Sequence, residues 1–452
     1  MPMPAELGWS QLATARVGLW GIGSEARAGH RRLAQLGVSP VLVDDRPGPD
    51  DPLGPILATD AGGVEALLAC DIVVKAPGIP PSHPVVAVLR DAGVTVIGGL
   101  ALWLHEAPSD RVVAITGTKG KSTTVSILGH ILRGLGHRTF VGGNLGVSPF
   151  DPAAIVDGEP ELWVVEVSSY QAADLVRGPR VTAVTALSPD HLQWHGSVAA
   201  YYHDKLALTR AAGVEVTVAP AADATVRAHG ADLGGQVIWV AGDGDDGWSH
   251  VLGLPGQHNI VNARIAAICA QQLGATDGDP AGLAAAAAGF ESLHSRLETV
   301  ASGHGVLVVD DGLSTNVLSC VAALEVYADR PVALLVGGQD RGIEHGLLGD
   351  AVRQRVFPTL LVALHSNGDA ILEVVRSQLA DRPAAAAVEL AASAAAANDP
   401  AGLRAATEHA VAWARQHAAV VLLSPAAPSF DHFRDYRDRS AQFAAIAGPL
   451  LQ

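Results

Sequence analysis

Short runs of Val, Ile and Leu recur along the 452-residue chain, and segments of helical length separate most of them. Continuous apolar runs of this kind predict strands buried on both faces, as in parallel sheets covered by helices. The alternation repeats three times, so the expected fold class is α/β with three domains. Val17–Trp20, Val41–Val43, Ile72–Val74 and Val94–Ile97 form the first group, which ends at the polar break Glu106-Ala-Pro-Ser-Asp110. Arg111–Ile115 opens the second group, followed by Leu162–Val167 and Val181–Leu187. It closes near Leu297, after an Ala-rich helix around Ala281–Ala288. The third group holds Val306–Val309, Val332–Val336, Leu360–Leu364 and Val420–Leu423. The expected domains are therefore 1–108, 109–298 and 299–452, with parallel sheets throughout. Ala384–Ala397 is expected to be largely helical, because alanine is the strongest helix former.

Composition narrows the function classes. A formal net charge of −16 and the lack of any basic tract argue against an electrostatic nucleic-acid binder. Aromatics are only 4% of the chain, so the cores must be built from aliphatic residues. Cys70, Cys269 and Cys320 are too widely spaced for a disulfide framework or a zinc motif. No signal peptide and no bilayer-spanning apolar run is visible, which makes a soluble, cytoplasmic protein without membrane partners the expectation.

The richest chemistry lies in Ile115-Thr-Gly-Thr-Lys-Gly-Lys-Ser-Thr-Thr124. Gly117 and Gly120 let the backbone turn and aim its N–H groups at phosphate oxygens; Thr118, Lys119 and Thr123 lie in the same run. Lys121 can reach β/γ-phosphates, and Ser122 carries the hydroxyl that such loops place on Mg²⁺. The next helix would set a phosphate at its N-terminus. Ile115 stands where a full P-loop has its first glycine, so the match is partial.

Other constellations keep two readings each. Gly21-Ile-Gly-Ser-Glu-Ala26 with Asp44-Asp45 fits a dinucleotide fingerprint, using Gly21, Gly23 and an acidic pair near ribose distance. A generic turn fits it about as well, and the first domain could instead hold the diphosphate of a nucleotide-linked substrate. Glu166 ends an apolar strand, where a carboxylate needs a partner or a metal; it could share Mg²⁺ with Ser122. Asp190-His191 is a candidate site or a structural loop pair, and Lys205 is a ligand or a solvated helical lysine. Asn259 and Asn262 could read an adenine edge or cap a turn. His294-Ser-Arg296 and Asp310-Asp311 flank the last boundary, as residues facing a nucleotide cleft would.

Taken in order, several runs resemble the Mur ligases, ATP-dependent amino-acid-adding enzymes of peptidoglycan precursor synthesis, and most closely their MurD type. They are the phosphate loop, Glu166-Val-Ser-Ser-Tyr-Gln171, Ser188-Pro-Asp-His-Leu-Gln-Trp-His-Gly-Ser197 with Lys205, Gly256-Gln-His-Asn-Ile-Val-Asn262 and Leu423-Ser-Pro-Ala-Ala-Pro-Ser-Phe430. The resemblance implies a Rossmann-like first domain for UDP-N-acetylmuramoyl-L-alanine, a central ATPase-like domain, and a Rossmann-like third domain for the amino acid. It implies that Lys121 grips phosphate, that Ser122 and Glu166 hold one Mg²⁺, and that His191 with a carbamoylated Lys205 holds a second. Asn262 would meet adenine, Arg296 the γ-phosphate and Asp311 the ribose. Gly21, Gly23, Ser24, Asp44, Asp45, Arg46, Pro77, Gly78, Ser168 and Gln171 would bind the UDP-linked substrate, and Asn144 would lie between it and ATP.

Departures within that type point to glutamate stereochemistry. Enzymes adding D-glutamate usually carry lysine where Leu313 stands, and another after the Gly337-Gly338 pair, where this chain reads Gln339-Asp-Arg341. Both changes resemble the subgroup that adds L-glutamate and works with a separate epimerase acting on the product. Thr315, Arg341, Ser429 and Tyr436 would then shape the glutamate site. The extra Ser295 between His294 and Arg296 is a lesser departure. L-Glutamate is favoured over D-glutamate, and a monomer is expected. The competing classes are a folylpolyglutamate-synthase-like ligase, an NAD-dependent dehydrogenase and a non-catalytic nucleotide-binding regulator.

Overall fold

The computed structural model describes residues 7–48, 50–156, 158–340, 345–381, 384–394, 396, 399, 401–429 and 431–452. Three sheets organise it. The first contains β1 (Val17–Trp20), β2 (Val41–Asp44), β3 (Leu57–Ala58), β4 (Ile72–Lys75) and β5 (Thr95–Gly98), in the order β3-β2-β1-β4-β5. The second contains β6 (Val112–Thr116), β7 (Thr139–Gly143), β8 (Leu162–Glu166), β9 (Val181–Val184), β10 (Val216–Pro220) and β11 (Gln236–Val240), in the order β11-β10-β9-β6-β8-β7. All pairings in these two sheets are parallel. The third contains β12 (Glu298–Gly303), β13 (Val306–Asp310), β14 (Val332–Val336), β15 (Thr359–Ala363), β16 (Val388–Ala391) and β17 (Val420–Leu423), in the order β12-β13-β17-β14-β15-β16.

Two expectations need correction. The third sheet is not wholly parallel, because β12 runs antiparallel to β13. His304 and Gly305 connect them with φ of 51° and 78°, a pair of left-handed residues that suits a tight hairpin. Ala384–Ala397 is not helical where it is described: Val388–Ala391 forms β16, parallel to β15. Helix propensity differs by only a few tenths of a kcal/mol per residue, too little to outweigh ladder bonds on a ready sheet edge. Trp413 Nε1 donates to Glu389 Oε1 at 2.8 Å and helps hold that edge.

The chain divides into two compact units, Met1–Glu291 and Ser292–Gln452, so the first two sheets share a unit. In the central sheet, the helices Lys121–Gly134 and Gln257–Gln272 pack their apolar faces over Val113, Ile115, Val164 and Val181. Among the described residues no helix is long and apolar enough to cross a membrane.

Buried charge ties the first sheet to the second. Lys75 closes β4 with 1% exposure; its Nζ donates to Ile79 O at 2.9 Å and to the Asp174 carboxylate. Burial pushes Asp174 above the usual carboxylate range, opposed by Lys75. Beside them Gln171 Nε2 donates to Glu25 Oε2 at 3.0 Å, and burial raises Glu25 to about 7. Arg31 holds Asp151 with two hydrogen bonds, Nε to Oδ1 at 2.8 Å and Nη2 to Oδ2 at 2.5 Å. Removing one member of a buried pair strands the other charge without a partner. Asp174→Asn should therefore lower the stability of the first unit by about 3 kcal/mol in denaturant unfolding, whereas Lys75→Met combined with Asp174→Leu should recover most of the loss. A single-substitution effect below about 0.5 kcal/mol would show that the pair does not brace the two sheets.

Candidate active site

The phosphate loop is shaped by two glycines that nothing larger could replace. Gly117 has φ of 147°, and a Cβ there would lie 2.1 Å from Thr185 Oγ1. Gly120 caps the helix Lys121–Gly134 with φ of 83°, and a Cβ there would meet Asn262 Oδ1 at 2.6 Å. Asn262 thus packs on the loop from the helix Gln257–Gln272, where its Nδ2 donates to Asn259 Oδ1 at 3.3 Å. Thr118 is fixed by Ser188 O at 2.9 Å and the Tyr201 hydroxyl at 2.8 Å. Lys121 Nζ donates to Thr118 O at 3.3 Å, and Lys119 Nζ lies 3.9 Å from Asp190 Oδ2. Thr123 is buried in the first helical turn, while Lys121 and Ser122 remain half-buried.

Parallel strand order brings the acids to this loop. β6 lies between β8 and β9, so their carboxyl ends open on one crevice, the usual ligand side of such sheets. Ser122 Oγ donates to Glu166 Oε2 at 2.6 Å, and Asn144 Nδ2, following β7, donates to Glu166 Oε1 at 2.8 Å. Glu166 is 2% exposed. A hydroxyl and a buried carboxylate are oxygen donors of the kind a hard divalent cation takes, so these residues fit Mg²⁺.

Lys205 is 2% exposed; its Nζ donates to Gly117 O at 2.9 Å and lies 5.0 Å above the Tyr201 ring. Burial, with Lys121 close by, holds its proton affinity well below the ordinary lysine range. A protonated Lys205 would repel a cation, so it fits a second metal position only after conversion to an anion. His191, at φ 52°, places Nδ1 2.8 Å from the Tyr170 hydroxyl. Partial burial, helped by Lys205, Lys121 and Lys119, lowers its pKa to about 4 against the pull of Asp190, so the ring is neutral near pH 7.

A chain of buried polar groups joins these elements, and its geometry was not readable from spacing. His195 Nδ1 lies 2.7 Å from Asp204 Oδ2, and its Nε2 lies 3.0 Å from Ser169 Oγ. Asp204 precedes Lys205 and Ser169 follows Glu166 by three residues, so a fully buried imidazole links the helix of one to the strand end of the other. Trp194 Nε1 donates to Gly78 O at 2.8 Å and fastens the same loop to the first sheet.

Of the residues expected around the UDP-linked substrate, those of the first sheet lie at the carboxyl ends of β1, β2 and β4, while Asn144 follows β7 and Ser168 and Gln171 follow β8. Gly21 has φ of 84°, and Gly23 caps the helix Ser24–Gln35. Asp44 accepts from Ile22 N at 2.6 Å and Arg46 N at 2.8 Å, while Asp45 accepts from Thr59 Oγ1 at 2.6 Å. Pro77 and Gly78 follow β4, and Ser168 caps a short helix by accepting from Gln171 N at 3.2 Å.

The second unit holds its own cluster. Asp311, 2% exposed, accepts from Ser424 Oγ at 2.8 Å; burial raises it to about 6, opposed by Arg296. Arg296 keeps a buried Nε without a hydrogen-bond partner. Thr315 is half-buried, Ser429 is 2% exposed, and Tyr436 begins the helix Tyr436–Leu450; Arg341 and Phe430 lie outside the described residues. The sequence reading missed Arg439, which is fully buried and donates to Gly312 O at 2.9 Å and to Ala427 O at 3.3 Å. Its Nη1 would be 3.2 Å from a Cβ on Gly338, so it sits where the loops of Gly312, Gly338 and Ala427 converge. An arginine in the polar first turns of a helix gave no signal of burial.

The cost of burying Lys205 gives a stability test. Its folded-state pKa lies below the unfolded value, so holding the charged form in the fold costs stability at any pH below the unfolded value. In CO₂-free protein, Lys205→Met should melt no lower than the wild type, and the gap should narrow as pH rises towards about 10.4, where the unfolded lysine also discharges. A variant clearly less stable than wild type at pH 7 would mean that Lys205 is retained for packing instead.

Comparison with known proteins agrees with this geometry. Residues 115–249 match the Mur ligase middle domain. The UDP-N-acetylmuramoyl-L-alanine–L-glutamate ligase of a Micromonospora species is 37% identical over 96% of this chain and 97% of its own. The enzyme of that name from Xanthomonas euvesicatoria is also 37% identical, over 97% of this chain and 96% of its own. Among solved structures, the UDP-N-acetylmuramate–alanine ligase MurC of Thermotoga maritima superposes with a TM-score of 0.55 at 17% identity, covering 95% of this chain and 98% of its own. MurF of the same organism, in complex with ADP, gives a TM-score of 0.56 at 15% identity, covering 98% and 96%. These structures share the fold. The full-length relatives establish that the chain belongs to the Mur ligase family.

Proposed function

We infer that this protein is an ATP-dependent ligase that joins L-glutamate to UDP-N-acetylmuramoyl-L-alanine in peptidoglycan precursor synthesis. The observation that carries this reading is likeness over nearly the whole length to ligases named for that reaction. In our reading residues 1–108 hold the UDP-linked acceptor, 109–298 hold ATP, and 299–452 hold glutamate. We place the reaction in the cytoplasm and the enzyme as a monomer. Its product, with L-glutamate incorporated, would need a separate epimerase wherever the cell wall uses the D-isomer.

A carboxylate is a poor electrophile, so the terminal phosphoryl group of ATP first converts the alanyl carboxylate to an acyl phosphate, releasing ADP. The glutamate amine then attacks the acyl carbon, and inorganic phosphate leaves. Both steps crowd anionic oxygens together. Lys121 and the loop N–H groups offset that charge at the N-terminus of their helix, and we assign Arg296 the same task at the γ-phosphate. Mg²⁺, when bound, supplies Lewis-acid charge to the phosphoryl oxygens. Ser122 and Glu166 would hold one ion, with Asn144 orienting Glu166. His191 and Lys205 would hold another once Lys205 carries a carbamate, a conversion that its lowered proton affinity favours. Asn262, packed on Gly120, would meet adenine, and Asp311 the ribose.

We assign glutamate to the loops around Arg439, with Thr315, Ser429 and Tyr436 lining the site, and we assign Arg341 to the same role from the sequence. Leu313 offers no donor to a carboxylate. ADP release with each glutamate enantiomer, ATP, Mg²⁺ and the UDP-linked acceptor tests the reading. L-Glutamate should give the higher kcat/KM, and Lys121→Ala should reduce it roughly a thousandfold. Preference for D-glutamate would overturn the stereochemical assignment, and acceptor-independent ADP release would overturn the ligase itself.

A further inference from the structure

Glu298 and Asp310 face each other across the antiparallel pair β12–β13. Two carboxylates in directly opposed positions repel, and a cation or proton between them would relieve that repulsion. Asp310 is fully buried. Its Oδ1 accepts from Gly312 N at 2.8 Å and from Ser440 Oγ at 2.9 Å, but its Oδ2 has no hydrogen-bond partner. The Ser295 hydroxyl, also fully buried, stands beside Asp310 and opposes the rise that burial imposes on its pKa. His294 Nδ1 lies 2.7 Å from Glu298 Oε2, which also accepts from Ser295 N at 2.9 Å. One donor atom each from His294, Glu298 and Asp310 lies within 4.8 Å of the others.

We propose that His294, Glu298 and Asp310 bind a divalent transition-metal cation of the zinc class, separate from the phosphate-loop ions, with the Ser295 hydroxyl or a water as fourth ligand. One imidazole and two carboxylates are a donor set for Zn²⁺ or Mn²⁺ rather than for Mg²⁺, which prefers oxygen alone and keeps its water. The orphaned Asp310 oxygen is the observation that separates this cluster from an ordinary surface ion pair, since buried acceptors are otherwise satisfied. Arg439 and Arg296 supply positive charge nearby, yet neither forms an ion pair with Asp310 or Glu298 among the described contacts. The cation has a mechanical consequence. Arg296 lies between Ser295 at φ 60° and Leu297 at φ 51°, two non-glycine residues in a region that side chains rarely adopt. Bonds from His294 and Glu298 to one ion would clamp both sides of that turn and fix the direction of Arg296.

The test is equilibrium dialysis of the tag-free protein against micromolar Zn²⁺ in millimolar Mg²⁺, which keeps the phosphate-loop positions occupied by Mg²⁺. Cys70, Cys269 and Cys320 are buried and offer no competing thiol. Wild type should retain one more equivalent of zinc than either His294→Ala or Glu298→Gln. Zn²⁺ should also raise the melting temperature of the wild type by a few degrees and leave both variants unmoved. Glu298→Gln keeps the shape and the acceptor for Ser295 N, so it guards against a loss caused by misfolding. Equal zinc in all three proteins would overturn the proposal. So would a wild type that retains none, which would leave a shared proton between Glu298 and Asp310.

Discussion

Everything at the candidate active site depends on burying charges that would be more stable in water. Glu166, at the end of the apolar strand β8, and Lys205, in the middle of the helix Val198–Arg210, are each 2% exposed. The fold meets the cost with fixed neighbours. Glu166 receives Ser122 and Asn144, and Lys205 donates to the carbonyl of Gly117. These partners satisfy the groups without neutralising them, so the site has anionic oxygens and a deprotonatable amine arranged before any ligand arrives. Parallel topology makes this possible, because β6, β8 and β9 end on the same side and carry their loops to one crevice.

The same economy recurs between the first two sheets. Lys75, Asp174, Glu25 and Gln171 form a buried polar seam, and Trp194 adds a bond to Gly78. The seam runs between the residues assigned to the UDP-linked substrate and those assigned to metal. His195 extends it, since its two ring nitrogens meet Asp204, next to Lys205, and Ser169, near Glu166. Displacing any of these groups would move both sets of residues, which is why we read the seam as preorganising both within the first unit.

Much of this was legible in the chain. Apolar runs marked the central strands because strands buried on both faces leave a continuous signal. Gly117, Gly120 and Ser122 were legible because a phosphate loop needs specific backbone freedom at fixed spacing. The antiparallel β12 was not, since a two-residue hairpin at His304-Gly305 lacks the usual Asn-Gly signal. β16 was hidden by alanine content, a local preference that sheet pairing overrode. Arg439, Lys75 and His195 were missed for one reason: polar residues look exposed in a sequence, and only tertiary contacts reveal those that are buried. The run around Leu313 is informative in the opposite sense, because its chemistry is defined by a donor that is missing.

Our central proposal is that the buried Lys205, with its lowered proton affinity, is carbamoylated and so becomes an anionic metal ligand. Carbon-13 NMR of the protein equilibrated with ¹³C-bicarbonate, Mg²⁺ and ADP addresses it most directly. A single carbamate resonance that disappears in Lys205→Met is the predicted result. A wild-type spectrum without that resonance, or one that survives the substitution, would contradict the account.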